Sequence, residues 1–202
     1  RQMCIRDRDG DGEDRPEEIK LFIENFNYHP NKTIVGERVK RSESILFKLC
    51  YSFHKVLTYT FTGQSIKFGN YTCLTKSTIE KMLSDKATWS SFSGSLAKNC
   101  NDRAAIASER GKRYFGPSKM SFLNLIKHSL AIIGVFKFNV LIRSILFILV
   151  YLFLIYQKIS LIMFIPMILI VIFLVSTFVI SKRENLNQLE SSLENILNIQ
   201  KF

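Results

Sequence analysis

Hydrophobic positions follow two regimes along this chain. Up to about residue 135 they come in short periodic groups separated by polar residues, and beyond that they merge into long, nearly uninterrupted runs. The periodic part reads as follows. Asp14 can N-cap a helix beginning at Arg15 and Pro16, after which Ile19, Phe22, Ile23 and Phe26 share one face. Pro30 lies in the polar stretch that ends it, and TIVGERV (33–39) predicts a short buried strand. SILFKLCYSFHKVLTYTF (44–61) is a helix apolar on most of its circumference, interrupted only by Lys48, His54 and Lys55, and Gly63 stops it. Such a helix is packed under the domain or lies in a membrane interface, and an anchored chain favours the second. SIKFGNYTCLT has strand composition, Ser77 and Glu80 form a capping box for the helix TIEKMLSDK, WSSFSGSLAK (89–98) is a short helix, and 103–109 is a further strand. Helices alternating with strands are α/β grammar.

The second regime is different in kind. Residues 138–181 read FNVLIRSILFILVYLFLIYQKISLIMFIPMILIVIFLVSTFVIS, with no charge between Ile159 and Ile180. About twenty apolar residues at 1.5 Å each cross a hydrocarbon core of roughly 30 Å, so the second run can span as a helix. The first run carries Arg143 about one turn inside, which can snorkel to the headgroups, and Gln157 with Lys158 supplies the turn. A helical hairpin over 139–181 is the expectation, with a single span after a re-entrant segment as the alternative. Residues 121–138 (SFLNLIKHSLAIIGVFKF) read as an interfacial amphipathic helix leading in. The tail, 182–202, places Leu186, Leu189, Leu193 and Ile196 on one face, and reads as an amphipathic cytoplasmic segment. Lys137, Arg143, Lys182 and Arg183 flank the pair and put both termini in the cytoplasm by the positive-inside bias.

Composition fits this division. The chain has 202 residues, 47% of them hydrophobic, and a net charge of +11. A basic portion beside an anionic leaflet gains about 1 kcal/mol per well-placed Lys or Arg. No nucleic acid partner is expected, because the basic residues are dispersed and no recognition motif occurs. Cys4, Cys50, Cys73 and Cys100 form no CxxC pair, and read as small apolar residues on a reducing cytosolic face. The string MCIRDR is the translation of ATGTGTATAAGAGACAG, which resembles a transposon-end adapter of sequencing libraries. Residues 1–8 are therefore read as non-native sequence joined to a gene fragment.

Two loops carry candidate chemistry. In DGDGED, the carboxylates of Asp9, Asp11, Glu13 and Asp14 repel one another unless a cation or N–H donors sit among them. An EF-hand is excluded, since its sixth position would be Asp14 instead of Gly and its twelfth Lys20 instead of Glu. A bland alternative is a helix start enriched in carboxylates. About a hundred residues later RGKRYFGPSKM gathers Arg110, Lys112, Arg113 and Lys119 around Gly111, Gly116 and Pro117. A metal held by hard oxygens and a basic loop gripping phosphate would together neutralise a nucleotide leaving group.

DGDGEDRPEEI resembles the D-x-D-x-[QE]-D-x-P-E segment of family 2 glycosyltransferases of the polyprenyl-phosphate class, the dolichol-phosphate mannosyltransferase and undecaprenyl-phosphate sugar transferase relatives. VGERVKR is similar to their strand ending in a basic residue, and RYFGPSKM to their R-[YF]-x-G-x-S-K-[YM] loop. Order and spacing agree over residues 9–120. The resemblance implies an α/β fold, the C-terminal half of a GT-A (Rossmann-like) catalytic domain over 9–120, followed by the interfacial helix and a two-helix transmembrane hairpin. It implies that Asp11 and Glu13 coordinate Mg2+ or Mn2+, with Asp9 and Asp11 in the catalytic constellation. It further implies that Arg38, Arg113, Ser118 and Lys119 contact the phosphates of a nucleotide-sugar donor or a polyprenyl-phosphate acceptor. His54 and His128 sit on apolar helices and read as packing or interface residues instead of bases.

The chain departs from that pattern in three places. GNYTCL stands where the relatives show G-D-F-R-L, so Asn70 and Thr72 replace a charged pair and leave the specific lipid and sugar open. No E-D dipeptide follows near 89–98, as suits a lipid phosphate oxygen that is already anionic and needs no base. Q-x-x-R-W is missing too, against a processive polysaccharide synthase. The expectation is an inverting glycosyltransferase bound to a bacterial inner membrane, its catalytic part cytoplasmic, with this fragment having little or no activity alone because the strands contacting base and ribose are missing. The competing expectation is a non-catalytic membrane-anchored scaffold or lipid-binding domain whose acidic loop is a helix cap. A small channel or transporter is disfavoured by a hairpin with no intramembrane acid.

Overall fold

The computed structural model of the chain describes residues 4–7, 12–40, 45–109, 111, 114, 121–157, 160–185 and 187. The elements follow as β1 (Cys4–Asp7), α1 (Ile19–Tyr28), β2 (Thr33–Lys40), α2 (Ile45–Thr62), β3 (Phe68–Thr75), α3 (Lys76–Leu83), α4 (Ala87–Ser90), α5 (Phe92–Asn99) and β4 (Arg103–Glu109), then α6 (Phe122–Gly134), α7 (Lys137–Ile155) and α8 (Ile165–Ser181). Short 3-10 turns precede α1 at Pro16–Glu18 and α8 at Leu161–Phe164. The class is mixed α/β, and the strands predicted at 33–39, within 65–75 and at 103–109 all form.

The sheet has the order β1-β3-β2-β4. β3 is antiparallel to both of its neighbours, and β2 is parallel to β4. It follows that β1, β2 and β4 all point the same way, so their carboxyl ends share one edge. Cys4–Asp7, within the segment read above as non-native, supply the outer strand: Cys4 pairs with Thr75 and Asp7 with Thr72. Successive side chains of a strand face opposite sides. Ile34 accordingly packs with Phe22, Tyr71, Cys73 and Ile106 under α1. Val35 packs with Phe68, Leu74, Met82 and Leu96 on the side of α3 and α5. Gly36 sits where β2 bulges, and a Cβ there would make close contacts with the Phe22 ring at 3.2 Å and the Tyr71 carbonyl at 3.3 Å.

Several local expectations are corrected. Asp14 is buried and does not cap the helix; Pro16 opens the 3-10 turn, which puts Arg15 at the N-cap with no side-chain bond. Ile23 is exposed instead of sharing the buried face of Phe22. Thr75, not Ser77, caps α3, its hydroxyl accepting from the Thr78 N–H at 3.3 Å, and Glu80 turns to Lys76 at 3.8 Å. The predicted helix 89–98 divides at Ser91, which caps α5 by accepting from the Gly94 N–H. Cys73 is disulfide-bonded, whereas Cys50 and Cys100 are free thiols. The reading of four ordinary thiols therefore fails at Cys73.

Residues 121–138 are not one continuous helix. α6, capped by Ser121 accepting from the Asn124 N–H, ends at Gly134, and α7 starts at Lys137. Gly134 lies against α8, where a Cβ would approach the Thr177 carbonyl at 3.4 Å. α7 and the segment Leu161–Ser181 are long and apolar enough to cross a membrane, and only 11% and 6% of their apolar windows are buried within the chain. A soluble core helix would be covered, so these two are short of a solvent that suits them. Their open ends are tied by Lys137 Nζ to Glu184 Oε2 at 2.7 Å, which puts the start of one helix beside the end of the other. Apart from its first residues, the tail 182–202 falls outside the described residues.

Candidate functional site

In an open α/β sheet, ligands are received at the carboxyl ends of parallel strands, where helix starts and loops converge. In this chain that edge collects three stretches. β1 ends at Asp7 and leads into the acidic loop, β2 ends with Arg38 and Lys40, and β4 ends at Glu109 and leads into the basic loop. Arg38 is in register with Ser108. The amino-terminal half of β3, with the exposed Asn70, extends to the same edge, while Thr72 is buried within the sheet and gives its hydroxyl hydrogen to the Asn70 carbonyl at 3.3 Å.

The exit of the acidic loop and the exit of β4 are bound to each other directly. The Gly111 N–H donates to the Glu13 carbonyl at 2.8 Å. Glu18, buried at the end of the 3-10 turn, accepts from the Ser108 hydroxyl at 2.6 Å and from the Glu109 N–H at 2.9 Å. Arg15 reaches Glu109 at 3.7 Å, and the Tyr71 hydroxyl donates to the Arg15 carbonyl at 2.7 Å. Two glycines permit this approach. At Gly111 a Cβ would come within 2.6 Å of the Gly12 carbonyl, and Gly12 itself has φ +90° and lies under the Tyr114 ring. Backbone meets backbone here, which no larger residue at Gly111 allows.

Of the predicted site residues, Glu13 is described: it is half-buried at the edge. Arg38 is described as a backbone position of β2 only. Asp9, Asp11, Arg113, Ser118 and Lys119 lie outside the described residues. Among the described residues no group of three or more potential metal ligands occurs. For a hard divalent cation, carboxylate oxygens such as those of Asp11 and Glu13 are suitable donors. His54 is half-buried on α2, its Nδ1 3.4 Å from the Thr58 hydroxyl, and His128 lies on the exposed part of α6. Neither histidine is at the sheet edge.

Sequence reasoning missed Glu18, Ser108 and the Gly12–Gly111 contact. The available signal was the doubled glutamate after Pro16: one of the pair, Glu17, is exposed and the other turns inward. A shallow groove between α3 and α5 lies at the opposite, amino end of the sheet. There Asp85 accepts from Asn99 at 2.8 Å and pairs with Lys98 at 2.9 Å. Burial alone would raise the Asp85 pKa, but the hydrogen bonds from Asn99, Lys98 and the Ala87 N–H outweigh it and hold the carboxyl below the usual range.

Fold and site together define a mixed α/β domain with one polar, loop-rich sheet edge, joined to two helices capable of crossing a membrane. No family model, curated protein or solved structure matches the chain.

Proposed function

We propose that the chain carries the C-terminal half of the catalytic domain of a membrane-bound inverting glycosyltransferase with a GT-A fold. It would move a sugar from a nucleotide-sugar donor to a polyprenyl-phosphate acceptor at the cytosolic leaflet. One observation carries the reading: the acidic-loop exit and the β4 exit are hydrogen-bonded to each other at the carboxyl edge of the sheet. That brings the end of an acidic loop and the start of a basic one, about a hundred residues apart in sequence, to one place. Anionic and cationic loops so joined suit a nucleoside diphosphate leaving group bridged by a divalent cation. In the reaction, an oxygen of the lipid phosphate attacks the anomeric carbon as the bond to the nucleotide diphosphate breaks. Asp11 and Glu13 would hold Mg2+ or Mn2+, Asp9 would support donor or metal, and Arg38, Arg113, Ser118 and Lys119 would neutralise phosphate charge. The two apolar helices keep such a site beside its lipid.

The test is Asp11→Asn in the chain expressed within its complete reading frame and assayed in membranes. Mn2+-dependent binding of nucleotide sugar is expected to weaken by at least about tenfold, the loss that a disturbed metal shell brings. Unchanged binding would refute the reading. A second reading, a membrane-anchored scaffold without catalysis, is favoured by Glu18, whose two carboxylate oxygens are both engaged by Ser108 and Glu109. Under it the acidic run is structural throughout, and Asp11→Asn leaves ligand binding as it was.

A further inference from the structure

α2 ends at the hairpin, and the way it ends is unusual. The last four carbonyls of a helix have no partner within it. In α2 these belong to Tyr59, Thr60, Phe61 and Thr62. The Gly63 N–H, with φ +77° at Gly63, donates to the Tyr59 carbonyl at 2.8 Å. Arg143 of α7 donates to the Thr60 carbonyl at 2.8 Å and to the Tyr59 carbonyl at 3.5 Å, and Asn139 donates to the Thr62 carbonyl at 3.4 Å. Thus the one cation inside the first apolar run serves the backbone of another helix, instead of reaching outward to headgroups as the sequence suggested.

Depth follows from the helix rise. Arg143 lies about 9 Å along α7 from Lys137, and Phe173, whose ring sits 4.9 Å from that of Phe61, lies about 12 Å along α8 from Ser181. Lys137 and Glu184 mark the open end of the hairpin. The carboxyl end of α2 is therefore below that level, packed with Ile133, Val140 and Leu174. On its other side α2 bears Leu49, Phe53, Val56 and Tyr59, each between 62% and 68% exposed and spaced to form one stripe.

We propose that α2 is re-entrant from about Leu49 to its carboxyl end, with this stripe covered by the acyl chains of the leaflet at which Lys137 and Glu184 sit, and that Arg143 is the positioning residue that holds it at that depth. Continuity with the hairpin argues for lipid as the occupant. Backbone carbonyls at lipid depth must be satisfied from within the protein, and a cation beside a helix carboxyl end also opposes its dipole. The proposal rests on the reading that α7 and α8 cross a bilayer, and it does not depend on sugar transfer.

The test uses the full chain in phosphatidylcholine vesicles, with Trp89→Phe as background and tryptophan introduced either as Phe53→Trp on α2 or as Phe147→Trp on α7. A stripe about 5–10 Å within the acyl boundary predicts at least about a twofold loss of Phe53→Trp emission in dibrominated lipid, with little quenching by aqueous iodide. Adding Arg143→Ala should abolish that difference at position 53 while position 147 stays quenched by dibrominated lipid. Where position 147 shows that Arg143→Ala no longer inserts, Arg143→Gln is read in its place. Iodide quenching of Phe53→Trp with position 147 in lipid overturns the proposal and leaves the hairpin standing. Shielding of position 53 from both quenchers means that protein covers the stripe, and also overturns it. Failure at position 147 in the otherwise unaltered chain removes the hairpin and the proposal together. An unchanged depth in the Arg143 variants shows that Arg143 is not the positioning residue.

Discussion

Glu18 and Arg143 do the same work with opposite charge. At the sheet edge, a buried carboxylate accepts from the Glu109 N–H and the Ser108 hydroxyl. At the junction with the apolar helices, a guanidinium donates to the last carbonyls of α2. Each is a charged side chain from a distant element that satisfies backbone groups where a regular element stops. They differ in what could replace them. Water reaches the sheet edge, where Glu17 and Glu109 are exposed, and can re-solvate an opened loop. With the carboxyl end of α2 at lipid depth, as proposed above, no water is available and the same defect has no remedy there. A polar tie beside solvent can therefore order a site, whereas one inside a bilayer decides whether an element can stay at all.

Breaking the comparison at its aqueous end is expected to have the largest effect on the folded domain. Glu18→Ala removes two hydrogen bonds to a charged group and leaves Ser108 and Glu109 to find other partners. With about 1.5 kcal/mol for each such bond, the domain should lose roughly 3 kcal/mol. Urea unfolding of the chain in detergent micelles, followed by far-UV circular dichroism, measures this. A loss under about 0.5 kcal/mol would show that water substitutes fully and that Glu18 orders nothing.

Most of the architecture was legible because it depends on periodicity. β4 alternates, β2 is a short buried run, α2 is apolar on most of its circumference, α6 has one apolar face, and α7 and α8 are apolar nearly all round. These patterns do not need tertiary context. The ends of elements were less legible. Asp14 as a cap, Ser77 as a cap and the uninterrupted helix 121–138 all failed: Pro16 and Thr75 set the first two ends through local geometry, and α6 stops at Gly134 where the chain turns into α7. Of the candidate site, the described residues hold only the exit of the acidic run at Glu13 and the exit of β4. The ties between elements were not legible, because Glu18 with Ser108, Gly12 with Gly111 and Arg143 with Thr60 are pairs set by strand order and helix crossing. Linear spacing carries no trace of them.

A smaller effect is expected from Gly111→Ala, which changes one methyl where the two loops touch. The added Cβ meets the Gly12 carbonyl at 2.6 Å, so one backbone must move. Such overpacking costs about 1–3 kcal/mol in a core, and the lower end applies where a loop can shift. Because the displacement falls on the bond from the Gly111 N–H to the Glu13 carbonyl, any ligand binding at this edge should weaken more than stability does. Equal losses of both would show that the contact is only structural.

The mildest perturbation is acid, and it singles out a carboxylate far from both junctions. Asp85 is held below the usual aspartate range in the folded chain, so it binds fewer protons there than in the unfolded chain. Its contribution is complete above the ordinary value near 4 and is lost as pH falls through the lower folded value. Stability should therefore decline on acidification below about pH 4, and Asp85→Asn should flatten that part of the profile while leaving the neutral range nearly unchanged. The groove between α3 and α5 opens to water, so this variant probes an aqueous tie whose backbone partner is the Ala87 N–H at the start of α4. If Asp85→Asn instead weakens the domain as much as Glu18→Ala does, the ties of Glu18 to Ser108 and Glu109 are worth no more than those of an ordinary carboxylate in an open groove, and Glu18 loses its special place at the sheet edge.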